Sequence, residues 1–305
     1  MTTLFFHFFL FLITPCVTNS IPAVHSKCIE AEEQSLLNFK KSLVFDSSSS
    51  SSSKLTTWNS STECCSWLGV TCGTNGSVVG LDISSESISC NIDNSSSLFQ
   101  LEHLQSLNLA YNDFNGSSIP SAIGKLANLR YLNLTYGFYS RQIPIEVAHL
   151  TRLKVLDLSK NNLNGELKLE NPNLGMLIQN LTELTELNLD YLNLSAQGAH
   201  WGKTISSSLP KLMVLTLSNC DLSGPIHESF ARLHSLSVLT LDDNHISAPV
   251  PNFFANFSRL ISLSLSRCNL YGAFPKEIFQ ESCQTLLATL KCCLDYTLQI
   301  AISQE

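Results

Sequence analysis

The chain has 305 residues, 44% of them hydrophobic and 14% charged, with a formal net charge of -7. Such a composition is too apolar and too weakly charged for a disordered chain. The acidic balance leaves no Lys/Arg-rich face for a phosphate backbone, so nucleic acid is not an expected partner.

In chain order, residues 4–13 form an apolar run broken only by His7, too short to cross a bilayer. Pro15 and small residues through Thr18 and Ser20 follow. This reads as a secretory signal over residues 1–20, without the usual basic start. Its removal takes Cys16 and leaves ten cysteines for an oxidising compartment. Eight Asn-x-Ser/Thr sequons suit the same route, at Asn59, Asn75, Asn94, Asn115, Asn133, Asn180, Asn193 and Asn256. The most apolar later stretch, residues 286–300, is broken by Lys291 and Asp295, so no membrane span is expected.

Residues 28–72 read as a terminal cap. Glu30, Glu33, Leu36, Leu37, Phe39 and Leu43 have helical spacing, acidic at the start, with Lys40 and Lys41 near the end. A serine run at 47–53 is a low-complexity loop. Trp58 and the block Cys64-Cys65-Ser66-Trp67-Leu68-Gly69-Val70-Thr71-Cys72 follow. Cys28, Cys64, Cys65 and Cys72 allow three disulfide pairings, and a bond between adjacent Cys64 and Cys65 would strain its ring, which leaves two. A zinc site is the rival use of four thiols. Secretion and the lack of a second ligand pair at the right spacing argue against it, so no metal and no cofactor are expected.

Residues 75–280 carry about eight repeats. A Leu-x-Leu anchor recurs with first leucines at 81, 107, 132, 156, 187, 215, 239 and 263, at spacings of 26, 25, 24, 31, 28, 24 and 24. Alternating leucines make a short strand with one dry side, and a single turn cannot bury them, so neighbouring coils must stack. The fold class is therefore an α/β repeat: a curved right-handed leucine-rich-repeat solenoid with a parallel inner β-sheet and a helical, disulfide-bonded N-terminal cap. Five residues after each anchor leucine an inward Asn can satisfy the turning backbone. Asn112, Asn161 and Asn244 hold that slot, and Cys220 and Cys268 hold it as buried small residues. Glu86, Gly137 and Leu192 depart from the pattern, so their coils should be looser or locally rearranged. Apolar-Pro pairs such as Ile119-Pro120 and Ile143-Pro144 suit a second short sheet on the flank, and residues 121–126 a short helix on the convex side. The two long spacings imply extra loops at about 166–180 and 195–208, with Trp201 packed on the solenoid flank.

The repeat pattern stops at 281, where Glu281 stands in place of the next leucine. Residues 281–305 read as a non-repeat tail. Leu286, Leu290, Cys293, Leu294 and Leu298 have near-helical spacing and could fold back as a lid; Cys283, Cys292 and Cys293 could pair within it.

Cys28, Leu36-Leu37-x-x-Lys40, Trp58 and the Cys64-to-Cys72 block resemble the cap of plant leucine-rich-repeat receptors and polygalacturonase-inhibiting proteins. The stretches at 81–89 and 92–99, with the insertion at 195–201, resemble the Verticillium wilt resistance group of receptor-like proteins. The resemblance implies the pairing Cys28–Cys64 and Cys65–Cys72. It also implies a kinase-less immune receptor that perceives a pathogen-derived protein or peptide, with a co-receptor kinase as partner. The resemblance further implies that full-length members continue through more repeats to a membrane helix at the plasma membrane. This chain would then be truncated before the anchor and, as encoded, extracellular or apoplastic. A soluble inhibitor of wall-degrading enzymes, and a truncated product without activity, are the alternatives.

Residues flanking the strand leucines face the concave side: Tyr111, Tyr131, Tyr136, Phe138, Lys160, Glu186, Tyr191, Asp242, Asp243, His245 and Arg267. Aromatics there bring large contact area at low entropic cost, so the stretch from Tyr111 to Phe138, with Tyr191, is the expected contact patch. A glycan on Asn133 would cover the same surface. No Ser/His/Asp set, His-Glu-x-x-His or phosphate-cradling glycine loop occurs, so no enzyme is expected.

Overall fold

A computed structural model describes residues 27–46, 54–161 and 167–275. The signal region, the serine run, the tail and its lid helix lie outside the described residues. Helix α1 (Glu30–Ser42) buries Leu36 and Phe39, and places Glu30, Glu32 and Glu33 in its first turn and Lys40 and Lys41 in its last, each charge matched to the nearer end of the helix dipole. The rings of Trp58 and Trp67 stack at 5.6 Å, and their indole N–H groups donate to the Leu68 carbonyl and the Thr62 hydroxyl, both at 2.9 Å. Cys28 is bonded to Cys64 and Cys65 to Cys72, the pairing the resemblance implies. The four sulfurs cluster as a metal site would, but the two bonds consume the thiols that a metal needs.

Nine strands form the inner sheet, beginning with β1 (Val70–Cys72), β2 (Val78–Asp82), β3 (Ser106–Asn108) and β4 (Tyr131–Asn133). The short β5 (Arg141–Gln142) and β7 (Leu167–Lys168) pair instead with each other, as the expected second sheet on the flank. The remaining inner strands are β6 (Val155–Asp157), β8 (Glu186–Asn188), β9 (Val214–Thr216), β10 (Val238–Thr240) and β11 (Ser262–Ser264). Cap strand β1 runs antiparallel to β2, and every later neighbour is parallel. The eight anchor leucines are partners in this register and none is more than 1% exposed. Stacking has therefore hidden what one coil could not.

On the convex side the coils close with 3-10 turns, among them Ser121–Lys125, Ile145–His149 and Asn252–Asn256, each entered from a proline at 120, 144 or 251. The fixed φ of proline suits that entry, and its missing donor goes unneeded. The two long spacings, expected as loops, instead hold short helices, α2 (Leu174–Ile178) and α3 (Trp201–Ser208). Trp201 is fully buried, edge-on to Phe230 at 5.5 Å, with its N–H donating to the Ser223 carbonyl at 3.3 Å. No helix among the described residues is long and apolar enough to cross a membrane.

The ladder holds adjacent coils together. Asn161 Oδ1 accepts from the Gly137 and Tyr139 amides, and its Nδ2 donates to the carbonyls of Leu134, Leu158 and Ser159. Asn112 and Asn244 repeat the arrangement. Cys220 keeps only the donor half, its thiol meeting the Leu189 carbonyl at 3.1 Å. The coil before it is rearranged to suit, the Leu192 amide turning to Leu189 O and the Leu194 amide to Cys220 O. At Gly137 the space of a side chain is filled by Tyr139, whose ring would lie 2.6 Å from a Cβ and stacks on Phe114 at 4.8 Å. Burial pushes the Cys220 thiol up, and the Cys268 thiol up to about 12, which keeps both as inert packing groups.

Candidate recognition surface

Four residues after each anchor leucine the chain adopts a positive φ. Ser85, Tyr111, Tyr136, Lys160, Tyr191, Asn219, Asp243 and Arg267 lie between 51° and 66°. This kink turns the strand toward the ladder slot. It is held by one recurrent bond to the next coil, from the Tyr111 amide to Thr135 O, Tyr136 to Ser159 O, Lys160 to Asp190 O and Tyr191 to Ser218 O, at 2.8–3.2 Å. Because the strands are parallel and in register, these side chains line up as a ridge along one edge of the concave face.

The ridge brings several expected contact residues together. Tyr111 and Tyr136 stack with centroids 5.0 Å apart and planes at 20°, and the Lys160 ammonium lies 5.2 Å from the Tyr136 centroid. Tyr111 is 57% exposed and Tyr191 41%. Desolvation works against the Lys160 charge, but the Tyr136 hydroxyl, Asp190 and Tyr191 outweigh it and raise its pKa. Tyr131 and Glu186 stand on the outward side of β4 and β8, half-buried.

Beside the ridge runs an acidic strip. Burial raises the Asp157 carboxyl against the pull of Ser159, and Asp190 and Glu186 raise it further. Burial also raises Asp190, against hydrogen bonds from Ser218 and Thr216 and the charge of Lys160. Sequence reasoning passed over Asp157 and Asp190, although Asp157 is the outward residue that follows the anchor leucine of β6.

The remaining expected residues lie further along the ridge, at Asp243 and Arg267, or beside it. Asp242 accepts from the Ser264 hydroxyl and the Ser266 amide, and Asp243 is paired with the Arg267 guanidinium, which holds its carboxyl low. Phe138 and His245 stand two positions beyond the ridge, on the turn toward the flank, where His245 bridges to Ser223. Asn133 lies inside the tyrosine patch, with its Nδ2 donating to the Tyr131 hydroxyl at 3.2 Å.

Comparison with known proteins agrees with this architecture. Residues 29–73 match the leucine rich repeat N-terminal domain, and residues 103–126, 152–174 and 211–233 match the Leucine Rich Repeat. Receptor-like protein 6 of Arabidopsis thaliana is 36% identical over 235 residues, covering 74% of this chain and 23% of that protein. Receptor-like protein Cf-9 of Solanum pimpinellifolium is 32% identical, covering 76% and 27%. The chain thus spans about a quarter of the length of these relatives. Among solved structures, the Arabidopsis receptor kinase HAESA, in complex with the peptide hormone IDA and the co-receptor SERK1, superposes with a TM-score of 0.62 at 25% identity, covering 85% of this chain and 45% of that one. Cap, repeat register and relatives agree: the chain belongs among the plant leucine-rich-repeat receptor-like proteins.

Proposed function

We propose that this chain is an extracellular recognition module that binds a protein or peptide ligand on its concave face, with Tyr111, Tyr131, Tyr136, Lys160 and Tyr191 as the principal contacts. The observation that carries the reading is the Tyr111–Tyr136 stack, with Tyr111 exposed and Tyr136 half-buried, extended by Lys160. These groups are already ordered, so a partner would lose little further side-chain entropy in meeting them. The finer reading is a kinase-less immune receptor of the wilt-resistance group. It passes through the secretory pathway, perceives a pathogen-derived ligand and works with a co-receptor kinase. The names of the relatives, and the HAESA complex with its peptide and co-receptor, support it.

The test uses secreted protein immobilised against peptide fractions from the extracellular fluid of infected and healthy plants. Tyr111→Ala with Tyr136→Ala should reduce retention of the bound species at least ~10-fold, equivalent to about 1.4 kcal/mol. Retention unchanged by both substitutions would remove the concave patch from the reading. Retention of an intact polygalacturonase would favour an inhibitor.

A further inference from the structure

On the convex side, Asn94 behaves unlike the other sequons. Its Oδ1 accepts from the Ala122 amide at 2.8 Å and from the Ser121 hydroxyl at 3.2 Å, both in the next coil. Asn59, Asn75 and Asn193 bond serines of their own triplets, and Asn133 bonds within its own coil. With Oδ1 fixed, the amide plane of Asn94 is fixed too. Its Nδ2 makes no hydrogen bond among the described residues, and the residue is exposed.

Asn94 also lines a shallow hollow of about 340 Å³ that extends over the next two coils, past Gly124 and Lys125 to Glu146 and His149. Its floor stays low because Gly124 has no side chain: a Cβ there would lie 2.9 Å from the Glu146 Cβ. The hollow is lined by Ala122 and Gly124, an ammonium, a carboxylate and an imidazole, with room for one pyranose ring. A neutral sugar with hydroxyls and an acetamide can use each of these groups.

We propose that Asn94 carries an N-glycan whose first N-acetylglucosamine rests in this hollow and stitches the first repeat to the two that follow. The inference rests on passage through the secretory pathway. In the transfer, Nδ2 bonds the anomeric carbon of the sugar and loses one proton, and the lipid pyrophosphate of the oligosaccharide donor departs. Transfer precedes folding, so the Asn94-Ser95-Ser96 triplet decides occupancy, and the folded geometry decides where the sugar lies. Lys125 and His149 reach its acetamide and ring oxygens, and Glu146 accepts from its hydroxyls. The sugar joins coils whose own convex contacts are only short 3-10 turns.

The experiment uses the full chain secreted from plant cells. Glycopeptide mass spectrometry reads occupancy at each sequon. Melting is then compared for wild type, Asn94→Asp and Asn180→Asp. Aspartate keeps the oxygen that Ala122 and Ser121 bond, so Asn94→Asp removes the sugar and spares the contact; Asn180 is the exposed control. Asn94 should be occupied, and Asn94→Asp should lower Tm by about 2–4 °C, while Asn180→Asp leaves it unchanged. Because Asn94→Asp could impair folding for other reasons, the wild-type glycoprotein is also trimmed to a single N-acetylglucosamine per site. Tm should then hold, and native-state release of the last sugar should be slower at Asn94 than at Asn180. An empty Asn94 beside occupied neighbours, equal melting of the two variants, or equal release rates would each overturn the proposal. Failure of every sequon to be occupied would remove the secretory reading along with it.

Discussion

The ring of Tyr111 rests on the ring of Tyr136 with 5.0 Å between centroids, and the two residues share a backbone conformation, at φ 57° and 51°. The match is a consequence of register. Each residue stands four positions after an anchor leucine, and the anchor leucines of neighbouring coils are paired. Two tyrosines one repeat apart therefore stack as neighbours in a parallel sheet must. Lys160 repeats the geometry one coil further on, at φ 59°.

The ladder supplies the first prediction. Asn161→Ala removes five hydrogen bonds and leaves the Gly137 and Tyr139 amides without their acceptor inside the coil. Buried unpaired groups cost ~1–3 kcal/mol each, so a loss of about 3 kcal/mol is expected after partial relaxation. Cys220→Asn should not stabilise in return, although it restores the ladder residue. The Leu192 and Leu194 amides that an Asn would serve already have acceptors, so no donor awaits it. Thermal melts of the two variants against wild type check both statements.

Leucine spacing alone made the fold legible, because burial leaves the anchor positions almost no choice of residue type, and the strand register follows from that. The disulfide pairing needed the family resemblance, since the four cysteines left two pairings open. The ridge was only half legible. Tyr111, Tyr136, Lys160 and Arg267 are poor residues for a left-handed backbone, so nothing in their chemistry announces the kink. Only Asn219 and Asp243, at equivalent positions, carry that signal. The acidic strip was missed because Asp157 and Asp190 draw their character from burial and mutual proximity, which follow from coils brought together by stacking.

A second prediction concerns how the cap is held. Glu32 is buried, with Oε2 accepting from the Val78 amide at 2.6 Å and Oε1 2.7 Å from His103 Nδ1. One carboxylate thus joins α1 to β2 and to the coil after it. Glu32→Ala would orphan the Val78 amide in a buried site and should cost about 2 kcal/mol. His103→Ala should cost under ~1 kcal/mol, because that side chain is 53% exposed and solvent screens the pair. Hydrogen exchange should show the Val78 amide opening in the first variant and unchanged in the second; equal protection in both would remove the link.

The acidic strip yields a pH dependence. The Asp157 carboxyl is raised above its ordinary 3.8 by burial first and by Asp190 and Glu186 after it. The folded state therefore holds this proton more tightly than the unfolded chain does. Its contribution to stability is full below pH 3.8 and is lost as pH climbs through the folded value. At neutral pH the ionised Asp157 opposes folding, so Asp157→Asn should melt higher than wild type at pH 7, and the difference should close on acidification below 3.8. The amide oxygen can still accept from the Ser159 amide, now bonded at 3.0 Å. The change also creates an Asn-x-Ser triplet at 157–159, so both proteins are made in a host without N-glycosylation, which isolates the charge as the variable. A gap that widens toward acid would contradict the assignment.

Stability and recognition can be separated at Tyr136. Its ring holds the Tyr111 stack and the Lys160 contact, together about 1–2 kcal/mol, and its backbone bears a left-handed φ of 51°. Tyr136→Ala loses the ring and keeps the backbone strain, so it should cost about 2 kcal/mol. Tyr136→Asn loses the same ring, but asparagine enters the left-handed region more readily, as Asn219 does at the equivalent position, so its cost should be about 1 kcal/mol. If the ridge contacts a ligand through the aromatic stack, both substitutions weaken binding alike despite their different melting temperatures. Equal melting would show that the kink carries no strain, the bond from the Tyr136 amide to Ser159 O having absorbed it. Unequal binding that tracked the melting order would mean that loss of folded protein, and not loss of the ring, had weakened the complex.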